Sequence, residues 1–474
     1  MKIIHIASEC APFIASGGLG DVIGALPKAI KREDGNAEIS VILPYYDKIR
    51  EKFHQSLKKK CDIAFYLSWR ESGASIYQYV KDEITYYFIE NHRYFERGCL
   101  YGEYDDAERF AFFSKATVEF MLKTNEIPDI IHAHDWQAAL SIIYLKTLYK
   151  ERSDFLKTRT LFTIHNIEYQ GKFPLEFFTD IFGISNEYLS TTEYDGCLNF
   201  MKGALTLSDY ISTVSPNYKN ELAHDYFAMG LAPVINSVSH KMRGIINGID
   251  YDAFSPSKDK DIYFSYNKDN VDEGKRKNKV SLQKELGLKE SENIPMLAII
   301  SRLTSSKGMD LILRIIEELL SENLQLVILG TGEEKYEEEF IKLSYKHSNM
   351  SAIIKFDRVL SKKIYAASDI FIMPSKREPC GLSQMIACAY GSVPIVRSVG
   401  GLFDSVIAFD GKAGNGFRFN NYNAHELLYT IKNALEYFNS ERWSDIRNNA
   451  ISSRFDWIDS AKEYLSIYSN LLNW

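Results

Sequence analysis

The 474-residue chain carries six cysteines, and no two of them form a CxxC pair. Cys10, Cys61, Cys99, Cys197, Cys380 and Cys388 are scattered, mostly in apolar surroundings. Neither a zinc site nor a disulfide framework is indicated, and a reducing cytosol fits. A long basic tract is also missing, and the formal net charge is −7. General affinity for nucleic acid or an acidic membrane surface is therefore not expected, although a local basic pocket for phosphate stays compatible. No apolar run approaches the ~18 residues that span a bilayer. The opening apolar stretch turns polar at Ser8-Glu9, too early for a signal peptide, so a cytoplasmic location is the expectation. A complete dinucleotide fingerprint is lacking too. Ile23 occupies the small-residue place after Gly18-x-Gly20, and Lys335 occupies it after Gly330-Thr331-Gly332, which disfavours a dehydrogenase. His132 and His134 have metal-like spacing but no third ligand follows nearby, so they read as scaffold with one polar contact.

What is present is an alternation of short β-branched runs with amphipathic stretches. Runs lie at 3–7, 39–44, 84–89, 130–134, 160–165, 210–214 and 244–246, with helical patterns between most of them. A second series follows at 296–301, 324–330, 352–356, 369–374 and 393–397. Continuous apolar strands separated by helices imply parallel sheets covered on both faces, and two series imply two Rossmann-like α/β domains. Between them, 255–279 is charged and poor in large apolar residues. It reads as the interdomain connection plus an exposed approach to a helix, its Lys/Arg cluster a solvated face.

Three loops carry chemistry. Pro374 to Leu382 joins the apolar run 369–373 to a helical stretch beginning at Ser383, so Glu378 falls at the carboxyl end of a parallel strand, where open α/β sheets bind ligands. Arg302 and Lys307 leave the first strand of the second series; a guanidinium forks onto phosphate oxygens while an ammonium adds a point charge. Near the start, Ala15-Ser16-Gly17-Gly18-Leu19-Gly20-Asp21 follows the first strand and opens a helix expected over 22–31. Adjacent glycines there permit positive φ and close backbone approach to a ligand. His165, closing an apolar strand, is a further candidate.

These loops, with His132-Ala133-His134-Asp135-Trp136, Thr163-Ile164-His165-Asn166, Asn199-Phe200-Met201-Lys202-Gly203, Thr213-Val214-Ser215-Pro216 and Ile246-Asn247-Gly248-Ile249-Asp250, occur in an order and spacing that resemble the bacterial glycogen synthase and plant starch synthase family over nearly the whole chain. The resemblance implies two Rossmann-like domains facing across a cleft, the GT-B glycosyltransferase fold. It implies an acceptor-side domain over 1–247, a nucleotide-sugar domain over 248–454 and a helix over 455–474 returning to the first. A hinge near 248–256 would let the cleft close on the donor. The implied activity is transfer of glucose from ADP-glucose to the non-reducing 4-OH of an α-1,4-glucan or maltooligosaccharide primer, with retention. By the resemblance, Arg302 and Lys307 hold the diphosphate and Glu378 lies at the donor sugar. His165 approaches the transferred glucose, and Asn247 helps hold it. Ala15, Gly17, Gly18 and Asp21 border the donor, as do Asn166, Cys380, Gly381 and Leu382. No metal or other cofactor is implied, so Asp250-Tyr251-Asp252, which imitates a metal-binding DxD, belongs to the domain junction.

Two positions depart from the family pattern. Phe254 replaces a Trp, a packing change. Ala15 stands where the family places a donor-contacting Lys, which raises two alternatives: a same-fold glycosyltransferase with another donor or acceptor, or a catalytically weak glucan-binding paralogue. One charge-assisted hydrogen bond is worth roughly 1.5–3 kcal/mol, so Ala15→Lys should lower KM for ADP-glucose by up to about 10- to 150-fold. Initial-rate kinetics of the variant check this; an unchanged or higher KM would mean that another residue fills the role or that the donor differs.

Overall fold

The computed structural model describes residues 1–473. The chain divides into two compact units, Met1–Asn247 together with the closing helix Trp457–Leu472, and Gly248–Asp456.

The first unit contains β1 (Lys2–Ile6), β2 (Glu38–Pro44), β3 (Lys58–Leu67), β4 (Arg70–Lys81), β5 (Ile84–Glu90), β6 (Ile130–His134), β7 (Arg159–Ile164), β8 (Lys172–Phe173), β9 (Glu193–Tyr194), β10 (Cys197–Asn199), β11 (Tyr210–Thr213) and β12 (Met242–Gly244). Nine of these form one sheet in the order β12-β11-β7-β6-β1-β2-β5-β4-β3, and β8-β10-β9 form a small antiparallel sheet. The large sheet is parallel except at one edge, where β3, β4 and β5 run antiparallel. Sequence reading missed β3 and β4. Their residues alternate buried and exposed, so they lack the continuous apolar run of a doubly covered strand. The β4–β5 turn uses Asp82 and Glu83, both at positive φ, in place of the Asn-Gly signal of a hairpin.

The second unit contains β13 (Met296–Ile300), β14 (Gln325–Leu329), β15 (Met350–Ile353), β16 (Ile370–Met373), β17 (Val393–Arg397) and β18 (Phe417–Phe419), all parallel in the order β15-β14-β13-β16-β17-β18. Leu297 and Ile299 of β13 share a buried apolar cluster with Ile312, Ile315 and Leu319 of the helix Met309–Leu320. Those helix positions recur at three- and four-residue spacing, which places one face on the sheet.

Several expected boundaries shift. The run expected at 244–246 is β12, two residues earlier; the chain leaves the sheet after Gly244, with Ile245 N–H still donating to Thr213 O at 2.8 Å. The run at 352–356 is β15, Met350–Ile353. The helix after the glycine loop starts at Gly18 and runs to Glu33.

The charged 255–279 segment departs most from expectation. Lys275 and Lys279 are buried, not solvated, on the helix Val271–Leu286. Lys275 Nζ donates to the carbonyls of Tyr365, Ala366 and Tyr390 at 2.9–3.2 Å, and burial holds its pKa well below the usual lysine value. Lys279 Nζ donates to Asp369 Oδ2 at 2.7 Å and to the Glu292 and Ile294 carbonyls. Asp369 Oδ2 also accepts from Met296 N at 2.9 Å, so this pair ties the helix to the starts of β13 and β16. A cluster that composition marks as a surface is half a polar core. Removing one member of a buried ion pair strands the other charge, so Lys279→Ala should destabilise the second unit by about 3–5 kcal/mol. Urea unfolding of the full chain measures this; a loss below about 1 kcal/mol would show that the pair is dispensable.

Candidate active site

In the second unit, strand order reverses beside β13: β14 lies on one side and β16 on the other. The loops leaving β13 and β16 therefore start side by side at the carboxyl edge, where open parallel sheets hold ligands. The first carries Arg302 and Lys307, the second Ser375 to Leu382. Gly308 has φ +78, and a Cβ there would lie 2.3 Å from the Pro374 carbonyl oxygen, so the two loops touch through a position that only glycine fills. Lys376 N–H donates to Ser306 O at 2.9 Å, closing the same contact.

Lys307 Nζ meets Glu378 Oε2 at 2.6 Å, and Ser375 Oγ donates to the same oxygen at 2.9 Å. Glu378 is 8% exposed. Its Oε1 has no partner among the described residues, so one carboxylate oxygen is fixed and one is left over. Arg302 is exposed, and its guanidinium makes no ion pair among the described residues. The backbone at Glu378 is pinned by Gly401 N–H, which donates to the Glu378 and Pro379 carbonyls at 3.2 and 3.0 Å. Gly400, at φ +43, would place a Cβ 2.0 Å from Glu378 O. Sequence reading missed these two glycines, which only the packing marks. Cys380 is buried, Gly381 has φ +73, and Leu382 directly precedes the helix Ser383–Ala389, which has no side-chain cap.

In the first unit the glycine loop follows β1. Gly17 precedes the helix with extended backbone, and neither Gly17 nor Gly18 has positive φ, so that expected reason for glycine does not apply. A Cβ at either position would meet nothing within 4 Å. What glycine leaves there is open space above the first turn of a helix whose N–H groups lack a side-chain cap. Asp21 is exposed in that turn, and Ala15 to Gly18 are exposed. The loop is anchored from below by Glu9, a residue not singled out from sequence. Its buried carboxylate accepts from Ser16 N–H, from Ser16 Oγ at 2.7 Å and from Tyr101 OH at 2.6 Å.

His165 directly follows β7, and its Nε2 lies 3.0 Å from His134 Nδ1. His134 Nε2 lies 3.1 Å from His5 Nδ1. His132 bonds Tyr468 OH of the closing helix at 2.7 Å and Thr163 Oγ1 at 2.6 Å. Where the sequence suggested scaffold with one polar contact, each of the two histidines makes two. The third ring near them comes from β1, because register sets His5 opposite His132. Nitrogens of His5, His132 and His134 lie within 4.8 Å of one another. The set does not fit a metal ion, because both nitrogens of His132 and of His134 are engaged and only His5 Nε2 is unpartnered.

Asp135, quoted from the sequence only within a motif and given no role there, has φ +57. Its Oδ1 accepts from His165 N–H at 2.7 Å, tying the β6 and β7 loops together. Burial raises its carboxyl pKa to about 7. Asn166 Oδ1 accepts from Glu168 N–H at 3.0 Å. Asn247 ends this unit; it is buried, and its Oδ1 has no partner.

Burial lowers His5 and His165 from 6.5 to about 3, and holds His132 and His134 well below 6.5. A depressed folded-state value contributes stability that is present above 6.5 and lost as pH falls toward the folded value. Asp135, raised, acts in the opposite sense, one group against four. Melting temperature should therefore fall between about pH 6.5 and pH 4.5, above the range where ordinary carboxylates titrate. A flat profile there, read by calorimetry, would contradict the neutral histidine array.

A family model described as "Starch synthase catalytic domain" matches residues 2–237, and one described as "Glycosyl transferases group 1" matches residues 282–452. Glycogen synthase of Clostridium botulinum (strain Alaska E43 / Type E3) is 44% identical over 99% of both chains. Glycogen synthase of Streptococcus agalactiae serotype III is 43% identical over 99% of this chain and 100% of its own. The solved catalytic domain of starch synthase IV from Arabidopsis thaliana, bound to ADP and acarbose, superposes with TM-score 0.92 at 34% identity, covering 100% of this chain and 99% of that one. With two Rossmann-like units, relatives matched end to end and both family models in register with those units, the chain belongs to the glycogen and starch synthase family of GT-B glucosyltransferases.

Proposed function

We propose that the chain moves glucose from ADP-glucose to the non-reducing 4-OH of an α-1,4-glucan, with retention of the α configuration. The observation that carries the reading is the pairing, at one strand-order switch, of an uncommitted Arg302 with a Lys307 held by Glu378. Breaking a glucosyl phosphate bond builds negative charge on the departing diphosphate and positive charge on the sugar. Two preformed cations stabilise the first where it forms, so no general acid is required and the reading includes no metal. The ADP bound in the Arabidopsis structure supports adenosine diphosphate as leaving group. Glu378 keeps Lys307 in place through one oxygen, and its second oxygen is available to a sugar hydroxyl. A departing phosphate oxygen accepts the proton of the incoming 4-OH on the same face.

In the first unit, the open N–H groups at Gly17 and Gly18 and the nearby Asp21 border the donor, and His165 and Asn166 meet the transferred glucose. The orphaned Asn247 Oδ1 suits a sugar hydroxyl, because a buried acceptor gains most from a donor that arrives with the ligand. Cys380, Gly381 and Leu382 shape the turn behind the sugar. Ala15 leaves the exposed side of the loop without the family cation, which favours comparing donors directly.

Incubation with labelled ADP-glucose or UDP-glucose and a maltooligosaccharide primer tests the reading. Label should enter lengthened chains from ADP-glucose; incorporation from UDP-glucose alone would reassign the donor, and none from either would overturn the function. Arg302→Ala should cost at least ~3 kcal/mol in kcat/KM, through lost bidentate contacts to the leaving group. Turnover like that of the unaltered enzyme would remove Arg302 from the phosphate site.

A further inference from the structure

The buried histidines of the first unit do more than fill space. His5, His134 and His165 form a line in which His5 Nδ1 meets His134 Nε2 at 3.1 Å and His134 Nδ1 meets His165 Nε2 at 3.0 Å. All three rings are buried and neutral, so each carries one proton. Each link needs one N–H and one lone pair, and that condition leaves two consistent arrangements. Protons can point along the line from His5 toward His165, or from His165 toward His5. A mixed arrangement places two N–H groups, or two lone pairs, face to face.

The end of the line decides between them. His5 Nε2 is buried and has no partner. If the protons point toward His5, that atom is an N–H sealed away from any acceptor. If they point the other way, it is a bare lone pair. Among backbone groups an orphaned buried N–H is rarer than an under-satisfied acceptor, and the same asymmetry applied to the imidazole favours the bare lone pair. The proton of His5 therefore sits on Nδ1, that of His134 on Nδ1, and that of His165 on Nδ1, the nitrogen that faces no other histidine. His132 braces the line from the side, its ring centroid 4.0 Å from that of His134 and its own nitrogens fixed by Tyr468 and Thr163.

We propose that His5 and His134 are positioning residues that hold His165 with its proton on Nδ1, so that it meets the donor glucose as a hydrogen-bond donor to a sugar oxygen. This rests on the placement of His165 at the sugar. His5 Nδ1 sets the proton on His134, and His134 sets the proton on His165, so a residue two rings away from the substrate determines what the substrate meets. Asp135 does not compete for this role, because it accepts from the backbone N–H of His165, not from the ring.

Histidine-selective nitrogen-15 spectra of the full chain test the inference. The expected His165 pattern is a protonated Nδ1 and a bare Nε2, and a protonated Nε2 would overturn the proposal. Adding ADP-glucose without primer should shift the His165 Nδ1 signal. An Nδ1-protonated ring that does not respond would leave the relay standing and remove His165 from the sugar. Kinetics add an independent arm. His5→Leu withdraws the N–H from His134 and should lower kcat about fivefold, as expected for one weakened hydrogen bond, with KM for the glucan unchanged. His5→Asn sets an amide N–H where Nδ1 was and should recover most of that loss. Equal losses in the two variants would show that His5 acts through packing alone and would overturn its positioning role. The spectra of the unaltered protein decide the question if His5→Leu does not fold.

Discussion

Both units depend on one topological constraint. A parallel strand can be joined to its neighbour only by a crossover, and crossovers of one hand cover one face of the sheet while the chain moves in one direction. When the strand order reverses, the next helix covers the opposite face, and two adjacent loops at the carboxyl edge lead to opposite faces of the sheet. In the second unit this happens between β13 and β16; in the first, between β1 and β6. The residues with unspent polar groups gather at these reversals. Arg302, Lys307 and Glu378 leave β13 and β16, while the glycine loop leaves β1 and Asp135 follows β6.

The same residue types take opposite parts a short distance apart. Lys279 and Asp369 are both buried and bonded to each other, and each has further backbone partners, so their charges are used up in holding the helix Val271–Leu286 to the strand starts. Lys307 and Glu378 are also paired, but Glu378 retains a free oxygen and Arg302 nearby retains its whole guanidinium. Burial separates the two cases. Where water is excluded, every lone pair and proton needs a protein partner. Where the loops open to solvent, groups can remain unmatched until a ligand arrives.

The fold was largely legible because parallel strands buried on both faces are written as continuous apolar runs. β1, β2, β6, β7, β13, β16 and β17 announce themselves in this way. The hairpin of β3 and β4 does not, because a strand with one wet face alternates, the hairpin turn is Ser68-Trp69, and the turn on to β5 uses Asp82 and Glu83. Lys275 and Lys279 misled for a related reason: charge in a sequence signals solvent, and only distant partners, the Tyr365, Ala366 and Tyr390 carbonyls for one and the Asp369 carboxylate for the other, convert it into core.

The sequence by itself determined the class of the fold, the number of units, the loops at the carboxyl ends of strands and the family to which they point. Those properties follow from local patterns, since period, spacing and turn residues are all read within a few positions. Tertiary structure alone decided which side chains share a proton or a charge. His5 and His165 are separated by most of the first unit's chain, yet parallel register aligns β1, β6 and β7 so that three imidazoles form one line. Gly400 and Gly401 matter only because the turn at Glu378 folds against them. Hydrogen bonds and ion pairs act over a few ångströms, and the residues they join are neighbours in space before they are neighbours in any sequence pattern.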